Sequence, residues 1–150
     1  MSVHNVMTRK VVCVRPGLAI EAAHAIMVRR GIRHLPVVEG RRLLGVLSDR
    51  DMLIRANLND DGTLQYPDCV VADAMTATPF TCGPQDTVQD VAGRMMDQRV
   101  DCLPVVDHTG NLLGLITTVD LLGVLRGQKA PATLPFEFTL HDSDDHELGE

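Results

Sequence analysis

Two short stretches hold residues whose types and spacing could do chemistry: Ser48 with Asp51, and Thr117 with Asp120. In each, an apolar run ends in a hydroxyl residue, and a carboxylate follows three positions later, where a helical pattern begins. One reading is structural. The hydroxyl accepts a hydrogen bond from a free backbone N–H of the first turn, and the acid suits the positive end of the helix dipole. The other reading is chemical. A helix start attracts phosphate, a hydroxyl donates to a phosphate oxygen, and a carboxylate one turn in accepts two hydrogen bonds from a vicinal diol such as ribose. Phosphate plus ribose means a nucleotide. Ser/Thr-x-x-Asp is common in helical proteins, so the surrounding chain has to decide.

A chain of 150 residues allows one compact domain or two small modules sharing a core, and is too short for a barrel enzyme. An aromatic share of 3%, with no Trp, points to aliphatic packing by Val, Leu, Ile, Met and Ala. The formal charge of -6 is unevenly spread. Residues 1–56 carry ten Lys/Arg against four Asp/Glu, residues 57–126 three against ten, and residues 127–150 one against six. The basic first part lacks interleaved aromatics, so it reads as a local anion site rather than a nucleic-acid face. Cys13, Cys69, Cys82 and Cys102 form no C-x-x-C pair, which argues against a zinc cluster or redox motif and for small core residues in a reducing compartment. The first ten residues hold no apolar signal-peptide core, and no apolar run approaches the roughly 18 residues a membrane span needs. A cytoplasmic protein is expected.

Self-similarity organises the chain. Met7-Thr8 recurs as Met75-Thr76, Pro16 as Pro84, Met27 as Met95, and Leu35-Pro36-Val37-Val38 as Leu103-Pro104-Val105-Val106, all 68 positions apart. One extra turn residue shifts the offset to 69, and Gly45, Ser48 and Asp51 then fall on Gly114, Thr117 and Asp120. This is a tandem duplication. In the first copy, the β-branched run Val11 to Val14 ends at Pro16-Gly17, as a strand and turn do. Ala19, Ala22, Ala23, Ile26 and Met27 follow at helical spacing until Gly31. Two apolar runs joined by Glu39 to Arg42 predict an antiparallel hairpin with Pro36 near a strand edge. A second helix is expected from Asp49 to about Asn57, which gives a β-α-β-β-α unit. The second copy repeats it, with Val88, Val91, Ala92, Met95 and Met96 as a core stripe.

The expected organisation is therefore repeat 1 over 1–57, a polar linker over 58–70, repeat 2 over 71–126 and an acidic tail over 127–150. Most of the tail has the composition of a solvated, flexible segment. Phe136 to Leu140 alternates like a strand that pairs with a sheet edge, here or in another subunit. His141, Asp142, Asp144, Asp145 and His146 carry metal-ligating groups, but an acidic run is the default reading and no metal is expected.

A duplicated β-α-β-β-α unit with Met-Thr at its start, Leu-Pro-Val-Val in its middle and Gly-x-x-Ser/Thr-x-x-Asp at its end resembles the CBS domain pair, or Bateman module. The resemblance covers about residues 3–125. It implies an α+β fold of tandem repeats packed with pseudo-twofold symmetry, two clefts between the repeats for adenosine-containing ligands, and a homodimer forming a disc of four repeats. Carried over, it places Asp51 and Asp120 on ribose hydroxyls and Ser48 and Thr117 on the first phosphate. Thr8 and Thr76 would open the loops at the adenine end, with Val12 among the binding residues. Ile32 and Val100, ahead of Pro36 and Pro104, would sandwich the base.

The copies differ at Arg33-His34, which face Asp101-Cys102. The Ser48/Asp51 site, with Arg33, His34 and Arg50, should favour a charged nucleotide. The Thr117/Asp120 site is either empty, or takes a less charged adenosine compound, or borrows Arg99. The resemblance thus implies a non-catalytic regulatory sensor of AMP, ADP or ATP that needs no cofactor and serves an unknown downstream protein. A ligand-free dimeric scaffold, or a sensor of S-adenosylmethionine, NAD or a cyclic dinucleotide, remains open. An enzyme is disfavoured: Asp49 and Asp51 point to different sides of a helix, and no P-loop or G-x-G-x-x-G is present.

Overall fold

The computed structural model describes residues 1–127 and 137–141, so the tail readings at 128–136 and 142–150 lie outside the described residues, as do Asp142, Asp144, Asp145 and His146 of the metal-ligating run, all but His141. The chain forms two compact units, and each draws on both copies of the repeat. One holds Met1–Val11 and Pro79–Phe138, the other Val12–Thr78 and the chain from Thr139.

The first copy runs through β1 (Lys10–Val14), α1 (Ile20–Arg30), β2 (His34–Glu39), β3 (Arg42–Ser48) and α2 (Asp49–Arg55). The linker is not featureless. It contains the hairpin of β4 (Asn57–Leu58) and β5 (Leu64–Gln65), followed by the single turn α3 (Val71–Ala74) and by β6 (Thr76–Ala77). Tyr66, just after β5, is buried in the core of the Val12–Thr78 unit, with its ring centroid 5.0 Å from that of His24. The second copy supplies α4 (Val88–Gln98), β7 (Cys102–Val106), β8 (Leu112–Thr117) and α5 (Thr118–Leu125). A last strand, β9 (Glu137–His141), adds to the free edge of β1, where the Glu137 N–H donates to the Arg9 carbonyl and the Arg15 N–H to that of His141.

In the Val12–Thr78 unit the sheet order is β6-β3-β2-β1-β9. In the other unit the hairpin β7-β8 is flanked in the same way, by bridges from Thr8 to Leu115 and from Cys82 to Val105. Both hairpins carry a bulge at the same place, between Val37 and Val38 and between Val105 and Val106. Pro36 does not lie at an edge as expected. It sits on β2, which is paired on both sides. The copy at Pro104 shows why this is tolerated: its carbonyl accepts from the Cys82 N–H, so the missing proline N–H faces the same parallel neighbour, whose pairing begins only at that point.

Helix α1 buries Ile20, Ala23, Ile26 and Met27 and ends at Gly31, which turns left-handed (φ +64°) and donates to the Met27 and Val28 carbonyls. Helix α4 begins at the Thr87 cap and ends the same way with an arginine, Arg99 at φ +56°. An L-residue is disfavoured in that region. On α4, Val88, Val91 and Met95 are buried, but Met96, expected in the core stripe, is 79% exposed. Each unit has its own aliphatic core: Leu18, Ile20, Leu35, Leu47 and Met52 in one, and Val3, Val91, Leu103, Val105 and Ile116 in the other.

Two glycines hold the exchanged segments. A Cβ at Gly45 would stand 2.6 Å from the Thr76 carbonyl oxygen, and one at Gly114 would stand 2.7 Å from that of Thr8. Backbone oxygens cannot swing aside, so Gly45→Ala or Gly114→Ala should cost about 2–3 kcal/mol or more by forcing the paired segment away. Gly17→Ala, which meets nothing within 4 Å, is the control. Urea denaturation of the three variants checks this, the two buried changes lowering the midpoint and the control leaving it near wild type.

Candidate functional site

Both Ser/Thr-x-x-Asp stretches fall where a strand hands over to a helix, and both form complete capping boxes. At α2, Ser48 Oγ accepts from the Asp51 N–H at 3.0 Å and Asp51 Oδ2 accepts from the Ser48 N–H at 2.9 Å. At α5, Thr117 Oγ1 accepts from the Asp120 N–H at 3.2 Å and Asp120 Oδ2 accepts from the Thr117 N–H at 2.9 Å. The structural reading of these residues is therefore realised. It does not exhaust them, because a carboxylate has about four lone-pair sites. Among the described residues, Asp51 Oδ1 carries no hydrogen bond, whereas Asp120 Oδ1 accepts from the Thr8 hydroxyl at 2.9 Å.

The strand pairing gathers the other sequence-predicted residues around these caps. His34 faces Ser48 across the β2–β3 hairpin, and the Arg33 carbonyl accepts from the Asp49 N–H at 2.9 Å. The second copy matches, with Cys102 opposite Thr117 and the Asp101 carbonyl accepting from the Thr118 N–H at 3.0 Å. Pro36 and Pro104 are buried on their strands, while Ile32 and Val100 are half-buried in the approaches to them. Arg33 and Arg50 are exposed, and Val12 on β1 and His34 are half-buried.

The two threonines change places. Thr76, from the second copy, pairs with Val46 in the unit that contains Ser48 and Asp51. Thr8, from the first, belongs to the unit of Thr117 and Asp120, where it also donates to Asp120 Oδ2 at 3.1 Å. Thus Val12, Ile32, Arg33, His34, Pro36, Ser48, Arg50, Asp51 and Thr76 share one unit, and Thr8, Val100, Pro104, Thr117 and Asp120 share the other. Reading the repeat missed two further differences. Val12 is matched by Phe80, which is 54% exposed, and Arg50 by Val119, which is 72% exposed. Aligning the two copies residue by residue is enough to expose both.

The thiols fit the core role expected of them. Burial, and after it the charges of Asp101 and Asp120, push Cys102 up to about 12, and burial pushes Cys13 to about 12 and Cys82 to about 11. All four cysteines are unbridged. Among the described residues, no cluster of His, Cys, Asp or Glu is arranged to hold a metal, and no helix is long and apolar enough to cross a membrane.

This architecture defines a class. The CBS domain pattern matches residues 3–56 and 71–127, and the chain belongs to the CBS domain family, as a pair of CBS repeats. It is 32% identical over 121 residues to the CBS domain-containing protein YhcV of Bacillus subtilis, covering 80% of this chain and 82% of that one. It is 37% identical over 113 residues to the inosine-5'-monophosphate dehydrogenase of Korarchaeum cryptofilum, covering 75% of this chain but only 22% of the enzyme. Among solved structures, CBSX2 in complex with AMP superimposes with a TM-score of 0.74 at 25% identity, covering 84% of this chain and 97% of that one.

Removing one cap should cost about 0.5–2 kcal/mol, so Ser48→Ala and Thr117→Ala should each unfold at lower denaturant while keeping the native circular dichroism spectrum. Thiol reactivity provides a second check. At pH 8 the folded protein should alkylate with iodoacetamide at half-buried Cys69 well before buried Cys13, Cys82 and Cys102, and denaturant should equalise all four.

Proposed function

We propose that this CBS pair is a non-catalytic regulatory module that binds an adenine nucleotide, AMP, ADP or ATP, at the Ser48/Asp51 site, and that it acts as a homodimer. The observation that carries the reading is a carboxylate half used. Asp51 is held by its own helix through Oδ2, which leaves Oδ1 for a ribose diol, within a fold that superimposes on a CBS pair bearing AMP. Arg33, His34 and Arg50 supply cationic or hydrogen-bonding groups for phosphate around the same strand–helix junction. Ile32, Val12 and Pro36 supply apolar surface for a flat purine. Regulation follows if the ligand binds one shape of the protein better than another, since only differential affinity shifts an equilibrium.

The homodimer reading rests on apolar helix surface. Leu53 and Ile54 on α2 are 58% and 75% exposed, and Leu122 and Leu125 on α5 are 56% and 84% exposed. Helix α5 is apolar around most of its circumference yet has no buried residue, which is the character of a helix covered by a partner. The non-catalytic reading rests on the relatives. The dehydrogenase shares with this chain only about a fifth of its length.

A scaffold that binds no ligand also needs both capping boxes, so the test separates the two. Calorimetry with AMP, ADP and ATP should give binding in the micromolar to millimolar range, about 4 to 8 kcal/mol. Asp51→Ala should abolish that heat with the fold kept. An unchanged isotherm in Asp51→Ala, or no heat with any of the three nucleotides, would leave the scaffold standing. Replacing Leu122 and Leu125 with Glu should convert the dimer to a monomer in light scattering.

A further inference from the structure

Strand β9 joins the sheet of the Val12–Thr78 unit on the outer side of β1. The Glu137 N–H donates to the Arg9 carbonyl at 3.2 Å, and the Arg15 N–H donates to the His141 carbonyl at 3.0 Å. The two contacts advance together along both segments, so β9 runs parallel to β1 and spans its whole length. On its other side β1 is held more thinly. Among the described residues its registered pairing with β2 is the single pair Val14 and Val37, and the bond that would extend the ladder back to Val12 needs an N–H that Pro36 lacks. The Lys10–Val12 half of β1 therefore relies on β9.

The other unit closes the same edge by different means. Thr81 and Gly83 stand at the positions of Cys13 and Arg15. The Gly83 N–H donates to Asp86 Oδ2 at 2.9 Å, and Arg94 donates to that same oxygen at 2.6 Å and to the Thr81 carbonyl at 3.0 Å. A local pair of side chains thus does there what a strand does here. In the first copy the equivalent positions are Leu18 and Ile26, both buried in the aliphatic core, so neither offers β1 a polar substitute for β9. The far end of β9 is anchored by the His141 side chain, which is 1% exposed, whereas the ion pair of Lys10 with Glu137 is exposed and contributes little.

From this contrast, and resting for its ligand half on the nucleotide reading above, we infer that β9 is a detachable strap that positions the nucleotide site: it holds the Val12 segment of β1 where a purine would meet it, and a bound nucleotide in turn holds β9 closed. A five-residue edge strand, paired on one side only, opens locally at lower cost than the core beneath it. Because strap and ligand share β1, each stabilises the other to the same extent. The Asp86–Arg94 closure lies within one loop and helix and has no strap to release.

Amide exchange followed by NMR on the full-length protein, with and without AMP, tests both halves. The Glu137 N–H faces β1, so by the two-residue alternation of a strand the Thr139 N–H does too; Thr139→Pro removes that donor and Thr139→Ala keeps it. In Thr139→Pro the Arg15 amide should exchange at least about tenfold faster while the Cys82 amide of the other unit keeps its rate, and AMP should bind at least about threefold more weakly. Thr139→Ala should match the wild type in all three. In the wild type, AMP at about ten times its Kd should slow exchange at Arg15 several-fold, up to about tenfold. An unchanged Arg15 rate in Thr139→Pro would overturn the strap, and so would equal acceleration at Arg15 and Cys82, which reports general destabilisation. Unchanged AMP affinity beside a faster Arg15, or AMP that binds the wild type without slowing Arg15, would overturn the positioning role. Failure of AMP, ADP and ATP alike to bind the wild type would instead remove the nucleotide reading and the ligand half with it, while the Arg15 and Cys82 rates still decide whether β9 is a strap.

Discussion

The structure depends on a backbone exchange that only glycine permits. The Thr8 N–H donates to the Leu115 carbonyl at 2.7 Å and the Leu115 N–H returns to Thr8 at 2.9 Å, beside Gly114. Thr76 pairs with Val46 beside Gly45. A side chain at either glycine would collide with main-chain oxygen, so the close approach and the glycine require each other. Through these pairings each sheet is completed by residues from the other copy of the repeat.

The exchange also determines how the candidate sites are made. A hydroxyl and a carboxylate on the repeat's last turn come from one copy, and the threonine beside them comes from the other. In the Thr117/Asp120 unit this contact is a direct hydrogen bond, and in the Ser48/Asp51 unit the carboxylate keeps an oxygen in reserve. The same motif therefore has two hydrogen-bonding states in one chain. A duplicated fold that diverges at exposed positions such as Arg33 and Asp101, or Arg50 and Val119, keeps its packing, because those positions lie outside the core.

Where the sequence reading went astray, the cause was tertiary context. Pro36 was expected at an edge because proline lacks a donor, and it stands inside a sheet because its neighbour begins pairing only beyond it. Met96 followed the helical stripe by spacing but falls outside the buried arc of α4. Residues 58–70 read as a polar connector by composition, yet Tyr66 among them is drawn into the core. Composition describes a segment's average preference and misses one residue that finds a pocket.

Local information was enough for much of this protein. The duplication, the hairpins, the glycine stop of α1, the capping boxes and membership of the CBS family are all legible in residue type and spacing, because caps, turns and amphipathic stripes are decided within a few residues of chain. Three things needed the folded chain: which threonine stands beside which aspartate, which carboxylate oxygen is already spent, and why Gly45 and Gly114 can be nothing larger. Each concerns residues tens of positions apart, brought together by strand pairing that no local pattern encodes.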